Sequence, residues 1–260
     1  MKALHIAATG MRAQELNVEV ISNNIANMRT TGYKRQRADF QDLLYQNLRR
    51  MGTNTSSTGT IVPTGVQIGS GVKTASTARI MTQGNLSETG KDLDIAIRGE
   101  GFFQIQMPDG TTAYTRDGSF ERDANGQLVT VDGYAVAPGI VIPQEARDTT
   151  ISADGQVQII DAAGAVQQLG QLQTARFINK SGLEAIGDNL FLETESSGAA
   201  VVGVPGEDGF GDLMQKHLEM ANVEAVSEIS DLIAAQRAYE MNSRIIKAAD
   251  EMYGTTSNLR

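Results

Sequence analysis

Apolar residues recur at every seventh position near the start of the chain. Leu4, Met11, Val18 and Ile25 form one line, and Ala7, Gln14, Ile21 and Met28 interleave as a second. This 3–4 alternation predicts a helix with a coiled-coil seam. Gly32 is placed to stop it, because glycine tolerates the left-handed cap conformation. A short second helix is expected next, with Phe40, Leu43, Leu44, Leu48 and Met51 on one face. The far end carries two apolar lines. One is Ala225, Ile229, Leu232, Tyr239, Ile246 and Tyr253, interrupted by Gln236 and Ser243; the other is Ala234, Ala238, Met241, Ile245, Ala248 and Met252, in unbroken steps of four and three. A helix in a two-helix hairpin needs one apolar stripe, so two stripes call for neighbours on more than one side. The N-terminal arm supplies one neighbour, and copies of the same chain are the simplest source of the next. The arms are therefore expected to complete their packing on assembly.

Between the arms the chain reads as strand-like runs punctuated by turns. Strands are expected over 93–98, 102–107, 111–115, 127–131, 157–160, 172–178 and 190–194, separated by turn dipeptides such as Asp109-Gly110, Asp117-Gly118, Asn125-Gly126, Asp132-Gly133 and Asp154-Gly155. All five prolines and 23 of the 27 glycines lie between residues 51 and 210, so helix breakers are confined to the centre. Residues 52–72, rich in Gly, Thr and Ser, read as an extended connector or flexible hairpin. The expected class is α+β: discontinuous N- and C-terminal helices forming a coiled-coil layer, with a central, mainly antiparallel β domain. The expected segments are a helical arm over 1–45, a connector over 46–80, the β domain over 81–210 and a second helical arm over 211–260.

Charge and composition narrow the function. The chain has 260 residues, 5% of them aromatic, and a net charge of −9. Such an acidic chain has no global attraction to nucleic acid or anionic lipid, and no nucleic-acid partner is expected. Charge is uneven: 8 basic and 4 acidic groups in residues 1–50, 5 and 8 in residues 211–260, and a strongly acidic centre. With no cysteine and two histidines, thiolate metal sites, disulfides and multi-histidine metal centres are excluded. No signal peptide is expected over residues 1–20 and no membrane span anywhere. The residues alone thus read as a soluble cytoplasmic protein.

Little in the sequence suggests catalysis. His217, with Asp212 and Glu219 near it, reads as a solvated group on a helix, and His5 as a packing or intersubunit residue. Gly99-Glu100-Gly101 opens like a dinucleotide fingerprint, but Gln104 stands where a glycine is needed and a strand follows rather than a helix. Asp123-Ala124-Asn125-Gly126 lacks the ligands of a calcium loop and reads as a hairpin turn. No catalytic residue, cofactor or metal site is expected. Arg29, Lys34, Arg35 and Arg37 suit a solvated helix end or pairing with an acidic surface, such as Glu224, Glu228 and Asp231. Asn23, Asn24 and Asn27 suit either helix-end capping or a polar seam position that fixes register.

Three segments together resemble the bacterial flagellar rod and hook axial proteins. Ser22-Asn23-Asn24-Ile25-Ala26-Asn27 through Gly32-Tyr33-Lys34 is similar to their N-terminal signature. Ala221-Asn222-Val223, then Gln236-Arg237-Ala238-Tyr239 through Ile246, is similar to their C-terminal one. Gly84 to Phe103 and Tyr114 to Phe120 resemble their shared β domain. Within the family the chain is most similar to the distal rod members, with a hook-type flexible subunit or another rod subunit as the alternative. His5 and Ala8 depart from the usual pattern.

The resemblance implies a structural subunit that is not an enzyme. It implies a hollow helical homopolymer with helices as inner layer and β domain as outer layer, stiffened by the segment around 46–72. Such a shaft transmits torque and passes export substrates. Implied partners are proximal rod subunits, hook subunits and their adaptor, periplasmic and outer-membrane ring proteins acting as a bushing, the export apparatus and a rod cap. The implied location is the basal body, from periplasm to outer membrane, reached by type III export without a cleaved signal; this replaces the cytoplasmic reading. The residues expected to carry self-assembly are Leu4, Met11, Val18, Ile21, Ile25, Leu232, Tyr239, Met241, Ile245 and Ile246.

Overall fold

The computed structural model describes residues 2–49, 51, 64–161, 164–207 and 209–258. Much of the polar run 52–72 therefore lies outside the described residues. The chain forms two compact units. The first comprises Met1–Ile25, Gln36–Ala78 and Ala225–Arg260; the second comprises Ala26–Arg35 and Arg79–Glu224.

The first unit is built on two long helices, α1 (Lys2–Ala26) and α2 (Ala225–Asn258). Both arise where Pro is absent and apolar positions keep a helical period. They run antiparallel, because Asn24 meets Glu228 while Gly10 meets Asn242. A methyl group on Gly10 would lie 3.0 Å from Asn242 Nδ2, so the absent side chain allows this approach. α1 ends at Ala26, ahead of Gly32. The stop is a turn in which Thr30 donates its N–H to Asn27 O at 3.0 Å and its hydroxyl to Asn27 Oδ1 at 3.2 Å.

The helix expected over Phe40–Met51 does not form. Gln36–Asp42 and Tyr45–Arg49 are strands, paired respectively with Val72–Arg79 and, antiparallel, with Val66–Gly69. Leu43 N–H bonds to Gly71 O at 2.9 Å between the two ladders. The 3–4 spacing of Phe40, Leu43, Leu44 and Leu48 competes here with a distant segment rich in Val and Thr, whose backbone satisfies this one; pairing prevails over local periodicity. The ribbon is tied to α1 where Val72 N–H approaches Thr9 Oγ1. Gly71 has φ +120°, and a Cβ there would stand 2.2 Å from that oxygen.

The second unit is antiparallel β. Its main sheet has the order Glu184–Gly187, Leu190–Leu192, Thr112–Thr115, Phe102–Gln106, Ala135–Val136, Leu128–Val129, Glu121–Arg122, with Thr174–Arg176 also paired to Phe102–Gln106. Asp148–Ile151, Gln156–Ile160 and Val166–Gln171 form a separate meander. Alternation along the central hairpin sends side chains to opposite faces. Phe103, Ile105 and Ala113 enter the larger core with Ile95, Ile97, Leu128 and Leu213. Phe102 and Tyr114 enter a smaller one with Phe177 and Phe191, where the rings meet edge to face. Both faces of this hairpin are therefore covered.

The hairpin turn at Asp123–Gly126 forms: Asp123 Oδ1 accepts from Asn125 N at 2.8 Å and Gln127 N at 2.7 Å. Asp117-Gly118 is not a hairpin turn. Gly118 packs on the backbone of Ile95, whose N–H it accepts at 3.0 Å, and no side chain fits there. The segment 211–224 is not helical either. Asp212–Gln215 pairs with Ile95–Arg98, and His217–Glu219 with Leu86–Glu88, so His217 lies on a strand rather than a helix.

Candidate functional site

Two arrangements stand out: a buried charge cluster in the second unit and an uncovered helix face in the first. The cluster is centred on Glu219, at the end of strand His217–Glu219. One carboxylate oxygen accepts from Lys34 Nζ at 2.5 Å and from Gly84 N at 2.9 Å, and the other from Arg116 Nη1 at 3.3 Å. Lys34 also donates to Thr82 O at 2.9 Å, and Arg116 Nη2 to Gly99 O at 2.8 Å. Lys34, Arg116 and Glu219 are exposed by only 3%, 3% and 1%. Burial holds the Lys34 ammonium below its ordinary value, opposed by the attraction of Glu219; burial lowers the Arg116 guanidinium in the same way. The Arg116 guanidinium also lies 5.2 Å from the centre of the Phe102 ring.

Both signatures converge on this cluster. Gly32, with φ +68°, donates its N–H to Glu219 O at 2.8 Å. Asn222 Oδ1 accepts from Arg35 N at 2.7 Å, while its amide donates to Ile80 O at 2.8 Å and Thr82 O at 3.1 Å. One segment from each end of the sequence is thus sewn to residues 80–84. The basic run does have an acidic partner, but for Lys34 it is Glu219. Arg37 instead pairs with Asp39 at 3.0 Å on the surface.

Asn24 makes the polar joint of the first unit. Its Oδ1 accepts from Gln36 N at 2.9 Å, and its Nδ2 donates to Gln36 O at 2.8 Å and to Glu228 Oε2 at 3.1 Å. Asn23 is exposed and Asn27 half-buried. Of the other N-terminal positions, Ile21 and Ala7 are buried, and Leu4, Met11, Val18 and Ile25 are half-buried. His5 is exposed and lines an open groove of about 540 Å³ beside α1. On α2 the inward line is Glu228, Leu232, Ala235, Asn242, Ile246 and Ala249. It shares Leu232 and Ile246 with the first expected stripe, whereas Ile229, Tyr239 and Tyr253 from that stripe are exposed. The second stripe lies almost wholly outside: Ala234 and Ala248 are exposed, Ala238 is half-buried, and Met241, Ile245 and Met252 are 58%, 49% and 62% exposed. Gln236 and Arg237 are exposed as well.

Sequence reasoning missed the roles of Arg116, Glu219 and Asn222. No simple alternation marked Glu219, because Gln215 and His217 of the same parity are half-buried and Lys216, at φ +63°, interrupts the strand. A carboxylate at an inward position needs a cation. Among the described residues, no group of three or more acidic or histidine side chains could hold a metal ion, and no helix is long and apolar enough to cross a membrane.

Three family models match in chain order. The flagella basal body rod protein model covers residues 4–34, the flagellar hook protein FlgE/F/G D1 domain model covers 96–159, and the flagellar basal body rod FlgEFG protein C-terminal model covers 214–259. Helical ends around a β domain, with these matches, define the class of flagellar rod and hook subunits. The chain is 60% identical to the flagellar basal-body rod protein FlgG of Caulobacter vibrioides over the full length of both. It is 56% identical to FlgG of Agrobacterium fabrum over 99% of this chain and 98% of that one. It is 49% identical to FlgG of Borreliella burgdorferi over 100% and 99%. The chain belongs to the FlgG family of flagellar basal-body rod proteins.

Proposed function

We propose that this chain is a structural subunit of the flagellar distal rod and acts by polymerising with copies of itself. Membership of the FlgG family supports the rod assignment. The single structural observation that supports the polymer reading is the outward line Ala234, Met241, Ile245 and Ala248, with Ala238 half-buried on its edge. Apolar side chains at steps of four and three are the geometry of a helix seam, and among the described residues Ala234, Met241, Ile245 and Ala248 stay exposed within one chain. Each contact is modest; repetition along a tube makes the set rigid enough to carry torque.

On this reading the chain is not an enzyme. Its partners are copies of itself, proximal rod and hook subunits with the hook-side adaptor, the ring proteins, the export apparatus and the rod cap. Its place is the basal body between periplasm and outer membrane, reached by export without a cleaved signal. Electron microscopy of the purified chain at high concentration tests the polymer reading. Rod-width tubes are expected from the native chain and none from Ile245→Asp; tubes of normal length from that variant would overturn it.

A further inference from the structure

The second unit cannot close on its own middle. Among the described residues, Leu86–Glu88 finds its only ladder partner in His217–Glu219, and Ile95–Arg98 in Asp212–Gln215. Ile95 and Ile97 are fully buried and share the larger core with Leu213, which lies opposite Ile97. Core formation there waits on a contact that spans more than a hundred residues, with the closure cost and slowness that such separation brings. Lys34 and Arg116 are also aimed at one buried point, where the Arg116 charge disfavours that of Lys34. Without Glu219 they would be two like charges out of water, a condition costlier than either alone.

We infer that this cation pair acts as a gate on folding: the second unit stays unsealed along 26–35 and 82–98 until the segment 212–222 delivers the Glu219 carboxylate. Glu219 is the latch, and Gly32 N–H, Arg35 N–H and the Asn222 side chain close around it. A chain made from its N-terminus therefore holds this unit open until nearly all of it exists. The inference does not depend on the rod assignment.

Pulse-labelling hydrogen exchange during refolding of the full native chain tests it. Amides of 32–35 and 95–98 should gain protection in the same phase as 212–222. Protection of 32–35 in an earlier phase than 212–222 would overturn the gate. At equilibrium, Glu219→Gln in the full chain should lower protection of 32–35 and 82–98 together by at least about a hundredfold, leaving the helices Lys2–Ala26 and Ala225–Asn258 of the first unit within about threefold. Adding Lys34→Met to that variant removes one stranded cation and should recover about tenfold or more. Failure of that recovery would mean that packing, not charge, holds the segments. If Glu219→Gln does not fold at all, the native-chain kinetics still decide.

Discussion

Asn24 on α1 donates its amide to Glu228 in the first turn of α2 at 3.1 Å, and neither side chain is exposed to solvent. The same amide takes both backbone groups of Gln36. One side chain therefore fixes where the second helix begins against the first and where the ribbon departs.

Replacing Asn24 with Ala should remove these bonds and take one donor from the buried Glu228 carboxylate. We expect a loss of about 1–3 kcal/mol, seen as a lower urea midpoint in the helical circular dichroism signal. Asn24→Asp should be worse, since it brings a second negative charge to Glu228.

The charge cluster predicts a ranking. Glu219→Gln should cost the most, about 3–5 kcal/mol, because it removes the buried counter-charge of two cations and leaves Arg116 only the Coulombic pull of Glu100. Lys34→Met should cost less, since Glu219 keeps Arg116. Equal losses in chemical denaturation of the two variants would show that the cluster acts through packing alone.

Two glycines with similar backbones should respond differently to Ala. Gly32 and Gly90 have φ +68° and +76°. At Gly90 nothing lies within 4 Å of an added Cβ, so the cost is backbone strain of about 1–2 kcal/mol. At Gly32 the Cβ would stand 2.6 Å from Asp117 N, adding a clash with backbone that cannot turn aside. Thermal denaturation should show a clearly larger drop for Gly32→Ala.

The outward face of α2 separates stability from assembly. Met241→Asp, like Ile245→Asp, alters an exposed position, so the isolated chain should change by no more than about 0.5 kcal/mol. Tube formation should nevertheless be lost. A parallel loss of monomer stability would place these residues in an intramolecular contact.

Acid stability should depend on Asp212. Its hydrogen bonds to Arg98, at 3.0 Å and 2.5 Å, hold its carboxyl below the ordinary 3.8. A carboxyl lowered in the folded state binds protons more readily when unfolded. Its contribution is therefore complete above pH 3.8 and is lost as pH falls through the lower folded value. Arg98→Gln should flatten that acid limb; because the pair is partly solvated, the effect is at most about 1 kcal/mol. Denaturation midpoints of both chains between neutral and strongly acid pH check this.

The sequence by itself determined the period of each segment. The heptad placed α1 and steps of four and three placed α2, turn dipeptides between strand-like runs placed the central hairpin, and the stripe Ala234–Met252 was legible because an apolar face is a local pattern. The signature residues also sufficed to point to the family. Tertiary structure alone decided who pairs with whom. Residues 40–51 carry helical spacing, yet Gln36–Asp42 and Tyr45–Arg49 are strands because Val72–Arg79 and Val66–Gly69 complete their hydrogen bonds. Residues 212–219 become strand because Leu86–Glu88 and Ile95–Arg98 require partners. Lys34, Arg116 and Glu219 are far apart in the chain, and no local pattern assigns three isolated charges to one point. Periodicity records how a segment divides its own surface, whereas a buried charge is tolerable only where a distant opposite charge is brought to it.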